Sequence, residues 1–296
     1  MSVASMQIRK RPKTAIWVKV IASLLMAVVS YVALARPSTA QTSAQIDALI
    51  EALNFDEMVS IIADESRDLG DADIEGAYGV SRAAYQDMVD RLFAEAPMQV
   101  AFRAELTEAL KGAEIDPMIA FYKSPLGQKV SMLELETRRA FSEQATQDAA
   151  AASWAALDPD TSRAQLIEDF VKVGDLIELN VVGSLNNDIA YYRGLSQSAG
   201  GDGQILSEDD LMASIWASEP DVRADISEWV YGYSAMAYAP LSDEELQAYI
   251  DFIETPAGQR LNLAMFTAFD GVFDAASVAL GAATGQLLAN AGGDEL

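Results

Sequence analysis

The chain contains no cysteine and no histidine. Without thiols it has no disulfide, no thiolate nucleophile and no cysteine metal ligand. Without imidazole it has no Ser-His-Asp or Cys-His system and no histidine-built zinc site. Acid–base chemistry is left to carboxylate, lysine and tyrosine. Two carboxylates suffice for a glycosidase, but no pair stands out among 45 acidic residues, so no catalytic residue is assigned. Phosphate-binding loops and dinucleotide fingerprints are missing as well, so no cofactor site is assigned. Basic residues are scarce. Of 20 Lys and Arg, six (Arg9, Lys10, Arg11, Lys13, Lys19 and Arg36) fall in residues 1–40, leaving 14 bases against 45 acids and a formal charge of −31. Such a surface repels phosphate backbones and anionic headgroups, which argues against a nucleic-acid partner. Its plainest effect is solubility. Period-two runs of β-branched residues are absent too, which argues against a sheet.

The N-terminus has a different character. A basic start is followed by an uncharged, mostly apolar run at residues 20–35 and then by Pro37, Ser38, Thr39 and Ala40. Basic region, apolar region and a small-x-small site make the pattern of a secretory signal peptide, with cleavage after Ala40; Ala33-Leu34-Ala35 is a second site, and an uncleaved membrane anchor is the alternative. The run of 16 residues is slightly short for a membrane span. The expectation is an exported, periplasmic protein with a signal peptide over 1–40 and no stable membrane insertion after cleavage. Lacking disulfides, the exported chain must hold itself together by burying apolar surface. Its 51% hydrophobic content is enough for a full core.

Two strings say nearly the same thing 131 positions apart. Phe121-Tyr122-Lys123-Ser124-Pro125-Leu126-Gly127-Gln128-Lys129 is echoed by Phe252-Ile253-Glu254-Thr255-Pro256-Ala257-Gly258-Gln259-Arg260. Self-similarity at a fixed offset points to one unit used twice. Each string ends a helix with apolar bulk. Ser124 and Thr255 then suit an N-cap, and the extended backbone that precedes proline fits that position. Pro125 and Pro256 fall at the first helical position, where no amide bond is lost. Gly127 and Gly258 stand inside the first turn, where glycine costs about 1 kcal/mol relative to alanine. Something must therefore approach the bare backbone. The string reads as a tight helix-to-helix corner; a ligand at the free amides of the new helix is the alternative.

Helical spacing recurs on both sides. Ile46, Leu49, Ile50 and Leu53 make one apolar face, Tyr85, Met88, Val89, Leu92 and Phe93 another, and Val100, Phe102, Leu106 and Leu110 a third. Further on, a stripe runs from Leu166 through Ile167, Phe170, Val173, Leu176 and Ile177 to Val181, and Trp229, Tyr233 and Met236 share a face. Ser207 with Asp210 marks a helix start, and Ser242-Asp243-Glu244-Glu245 spells a capping box. Asp158-Pro159-Asp160 separates the halves. The spacing predicts an all-α protein of two homologous helical domains in tandem, 44–152 and 163–290. Residues near 81–150 and 208–285 should share a helix order. The aromatic group Trp229, Tyr231, Tyr233 and Tyr238 reads as core; a groove for a sugar or peptide is the alternative. Gly281 and Gly285 admit close helix packing, inside the chain or in a homo-oligomer. Asp71, Asp73, Glu75 and Gly76 resemble an opening calcium loop, but the closing acid is replaced by Arg82. No metal site is assigned.

At the repeated corner the chain resembles the bacterial domain of unknown function 2059 family, whose pattern is an acidic helix start followed by a Phe-Tyr-x-Ser-Pro-x-Gly corner. The first copy has the full corner in Phe121, Tyr122, Ser124, Pro125 and Gly127, but its upstream start is reduced to Glu114-Ile115-Asp116-Pro117. The second has the acidic start, Ser242 to Leu246, and Phe252, Thr255, Pro256 and Gly258, with Ile253 in the tyrosine's place. The resemblance implies an exported, all-helical bacterial protein and no particular activity. The reading is a non-enzymatic periplasmic module that binds an envelope protein or ligand. The alternative is a carboxylate-dependent hydrolase of an envelope glycan.

Overall fold

Prolines, glycines and two left-handed residues divide the chain into helices whose apolar faces close over two shared cores. The structure is a computed structural model and describes residues 43–67, 81–198 and 207–293. The signal-peptide segment, the calcium-like string and most of the Gly-rich loop after Gln197 lie outside the described residues. Among the described residues there are twelve helices and no strand. They are α1 (Ser43–Ala52), α2 (Phe55–Arg67), α3 (Arg82–Leu92), α4 (Glu95–Ala109), α5 (Asp116–Tyr122) and α6 (Pro125–Ala140). After these come α7 (Gln144–Ala155), α8 (Ser162–Val173), α9 (Leu176–Ser198), α10 (Glu208–Tyr238), α11 (Asp243–Glu254) and α12 (Pro256–Gly293). The protein is all-helical.

The breaks have local causes. Asn54 and Asp175 take positive φ (51° and 47°), the left-handed conformation that Asn and Asp tolerate best after glycine. Asp175 thereby ends the continuous stripe expected from Leu166 to Val181. Gly174 closes α8, and α9 starts at Leu176 in a new direction. Ser207 accepts from the Asp210 amide at the start of α10, and Ser242 and Glu245 complete the capping box of α11. Two residues placed on apolar faces by spacing alone are solvent-facing instead. Met236 is 38% exposed at the edge of its helix's buried face, and Val100 is 70% exposed because it stands two positions, about 200° of helical turn, from both Met98 and Phe102.

The first core joins α1 to α5 and is filled by Leu49, Phe55, Ile62, Phe93 and Phe102. Its remaining wall is α12, which adds Leu261, Met265, Phe269 and Phe273. The second core joins α8, α10 and α11 through Ile167, Phe170, Ile226, Tyr238 and Ile250. Val130 of α6, Phe141 and Ala150 of α7 close it. Each core thus draws on both sides of the Asp158 turn. A fully buried Phe, Leu or Ile contributes about 1.5–3 kcal/mol, so these exchanged side chains hold the halves together. By length and composition α12 could cross a membrane, and half of its apolar window is buried inside the protein. Of the aromatic group, Trp229, Tyr233 and Tyr238 are core; Tyr231 is half-buried, its ring stacked on Trp154 at 4.9 Å.

Candidate functional site at the paired corners

The two repeated strings fold alike. Ser124 (φ −70°, ψ 160°) and Thr255 (φ −65°, ψ 155°) are both extended caps. Ser124 Oγ accepts from the Gly127 amide at 3.1 Å, and Thr255 Oγ1 from the Gly258 amide at 3.0 Å. Each glycine lies under the helix before it. A Cβ on Gly127 would collide with the Phe121 carbonyl and stand 2.6 Å from the Tyr122 Cα; one on Gly258 would collide with the Phe252 carbonyl and stand 2.7 Å from the Ile253 Cα. The neighbour demanded by two misplaced glycines is therefore the preceding helix end.

The corners also meet each other. The Phe121 and Phe252 rings stack face to face, 3.7 Å between centroids and 3° between planes. Tyr122 packs edge-on to both, at 5.1 and 5.8 Å. The contacts just past each corner are reciprocal. Lys129 of α6 reaches Glu245 in the capping box of α11 at 2.6 Å, and that partner holds the Glu245 carboxyl below its ordinary range. Arg260, which stands 131 positions after Lys129, donates to the Ala109 and Lys111 carbonyls where α4 ends. Each half thus clasps the start or end of the other's preceding helix.

Beneath the stacked rings lies Glu134, 5% exposed. Its Oε1 accepts from the Tyr238 hydroxyl at 2.7 Å and the Tyr249 hydroxyl at 2.9 Å. Tyr249 and Tyr122 share a bond at 3.4 Å, and Tyr233 donates to the Glu134 carbonyl at 2.8 Å. Burial pushes the Glu134 carboxyl up to about 7, against the two phenol bonds that lower it. Burial likewise raises the phenols of Tyr122, Tyr238 and Tyr249, so all stay protonated at neutral pH. One turn on, Arg138 is fully buried, its Nε bonded to both oxygens of Glu65 at 3.0 and 3.1 Å and its guanidinium 5.6 Å from the centre of the Trp229 ring.

A second acidic group sits on α12. Burial, and then repulsion from Asp274, pushes Asp270 up to about 6; burial also raises Asp274, while Arg193 draws it back. The Oδ1 of each has no hydrogen bond among the described residues. Those residues contain no group of three or more acids that could hold a metal ion.

Of the nine corner residues, Phe121, Tyr122 and Phe252 meet across the two corners, while Ser124 with Gly127 and Thr255 with Gly258 bond within their own corner. Glu134, Arg138 and Tyr249 were not marked. The signal for the first two was present: Val130, Glu134 and Arg138 share one helix face at spacing four, so the apolar stripe of α6 carries charges that had to be buried. Their partners Glu65, Tyr238 and Tyr249 are far away in sequence and gave no signal.

The fold and this corner define an all-helical protein whose marked residues join its own halves. Residues 96–153 match the model of a family described as "Uncharacterized protein conserved in bacteria (DUF2059)", and the match supports that family over α4 to α7. No curated protein and no solved structure matches the chain.

The corner glycines yield an expected result. With a backbone atom in the way, Gly127→Ala and Gly258→Ala should each destabilise the fold by about 1–3 kcal/mol, as overpacking does, instead of stabilising it as on an open helix. Urea unfolding of both variants measures this. Two variants more stable than the parent would show that the corner can open.

Proposed function

We propose that the mature protein is an exported, periplasmic binding or interaction module without catalytic activity, built from two copies of one helical unit that clasp each other. The observation that carries the reading is the meeting of Phe121 and Phe252. The repeated residues bind one another, so the motif serves to build a scaffold, and partner contacts fall to the acidic outer surface. The partner is an envelope protein or ligand and not nucleic acid. The reading is supported by the basic and apolar leader, the repeated corner at a fixed offset, and a side-chain set without His or Cys. Affinity capture with the mature protein from a periplasmic extract tests it. The expected result is one or a few envelope proteins retained at physiological salt and lost at high salt. Retention of nothing above background, by wild type and at several salt concentrations, speaks against the reading. Export has its own check. Intact mass of protein recovered from the native compartment should correspond to residues 41–296, and a full-chain mass would revive a membrane-anchored leader.

One observation favours the second reading, a carboxylate-dependent hydrolase of an envelope glycan. Asp270 and Asp274 lie one turn apart with raised proton affinities, Asp270 through burial and repulsion from Asp274, and a carboxyl with raised proton affinity is what a general acid in glycoside hydrolysis uses. Turnover of a peptidoglycan digest that disappears in Asp270→Asn would establish it.

A further inference from the structure

Glu134 is more than the corner needs. Its counterpart at the 131-residue offset is Met265, buried in the first core and apolar. The fold therefore fills that position without a carboxylate in one half and places one in the other. The groups that face it come from several helices. Tyr122 approaches from α5, Tyr233 and Tyr238 from α10, and Tyr249 from α11. From α8 Phe170 packs on Tyr238 and Tyr249, and Arg163, paired with Asp243, donates to the Tyr238 carbonyl at 3.4 Å. On α6 itself Arg138 is engaged by Glu65 of α2, and at the rim Lys129 is engaged by Glu245.

We propose that Glu134 and its ring of tyrosines form a pH-sensitive latch: protonated, the carboxyl ties α6 to α10 and α11, and once ionised it lets this contact loosen. A buried carboxylate with phenol donors alone is a costly charge, since burial disfavours the ionised form. The direction follows from linkage. The carboxyl is raised from an ordinary 4.5 to about 7 in the folded state. A raised acid contributes its full stability below pH 4.5 and loses it as pH rises through 7. Between pH 5 and pH 8 this one group should lower the folded-to-unfolded ratio about 70-fold.

The test is urea unfolding of the purified protein at pH 5, 6, 7 and 8, with hydrogen exchange of α6 measured at pH 6 and 8 and corrected for intrinsic rates. Asp270 and Asp274 shift the same way, so the comparison is between variants. Glu134→Gln and Glu134→Met should lose most of the pH dependence, and Asp270→Asn should keep the part due to Glu134. Identical pH profiles for wild type and Glu134→Gln would overturn the proposal. If neither Glu134 variant folds, the wild type decides: α6 protection unchanged from pH 6 to 8 overturns the latch, and a selective loss in α6 supports it.

Discussion

Gly281→Leu should cost about 3 kcal/mol, the upper end of what overpacking usually costs, and Gly194→Leu should match it. The two glycines belong to the most extensive helix–helix contact among the described residues, between α9 and α12. A Cβ on Gly281 would collide with the Tyr191 carbonyl and stand 2.8 Å from the Leu195 amide nitrogen; one on Gly194 would collide with the Val278 carbonyl and stand 2.8 Å from the Ala282 nitrogen. Each glycine thus presses on the other helix's backbone, which has no rotamer with which to retreat. A side chain there can be admitted only by moving the helices apart, and α12 is the wall of the first core, so Phe269 and Phe273 would move too. Urea unfolding gives the magnitude and light scattering the oligomeric state. Small-residue stripes also serve contacts between copies. A Leu variant as stable as the parent but changed in oligomeric state would place these glycines in such a contact and refute the internal account.

The helical class, the capping box at Ser242 and both corners were legible because their causes are local. Period 3.6, a capping side chain and a proline at the first helical position act within four residues. The corner glycines were legible as an anomaly, two residues that spoil a helix at the same place, and the structure supplies the carbonyls that explain them. Met236 is solvent-facing because spacing gives a helix a face but not the width of its neighbour, whereas Val100, two positions before Phe102, lies on the far side of its helix by spacing itself. The stripe from Leu166 to Val181 holds a break whose signal was Gly174, a glycine inside the periodic pattern, followed by Asp175 at positive φ.

What sequence could not supply is the exchange between the cores. The string after each corner looks like the remainder of its own unit, yet Val130 and Phe141 lie in the second core and Leu261 and Phe273 in the first. Direction of exit from a corner is a tertiary choice, settled by the stacking of Phe121 on Phe252 and by the grip of Lys129 and Arg260 on the opposite half. The buried network follows from that exchange. Glu134 could be seen as a charge on an apolar stripe, but Tyr238 and Tyr249, which bond its carboxyl, stand 104 and 115 positions away.

Arg138→Ala should be the most damaging single change, costing about 3–5 kcal/mol, the range for breaking a buried ion pair from one side. Arg138 is fully buried and its fork spans α6, α2 and α10, bonded to Glu65 and set over the Trp229 ring. Truncation removes the cation, leaves the 16% exposed Glu65 carboxylate without it, and opens a cavity the size of an arginine stem. The pair as a whole need not be worth that much, because desolvating two charges offsets most of their attraction. The two effects separate in a double-mutant cycle. Glu65→Leu alone should be costly, since it leaves the guanidinium buried, whereas Arg138→Met with Glu65→Leu should cost far less than the sum of the single changes. Urea unfolding of the four proteins at pH 6 measures the coupling. A loss under about 1 kcal/mol for Arg138→Ala, well below the usual cost of an orphaned buried charge, would mean that Glu65 finds water when its partner goes. In that case α2 is held to the rest by its apolar face, with Phe55, Met58 and Ile62 in the first core, and not by this ion pair.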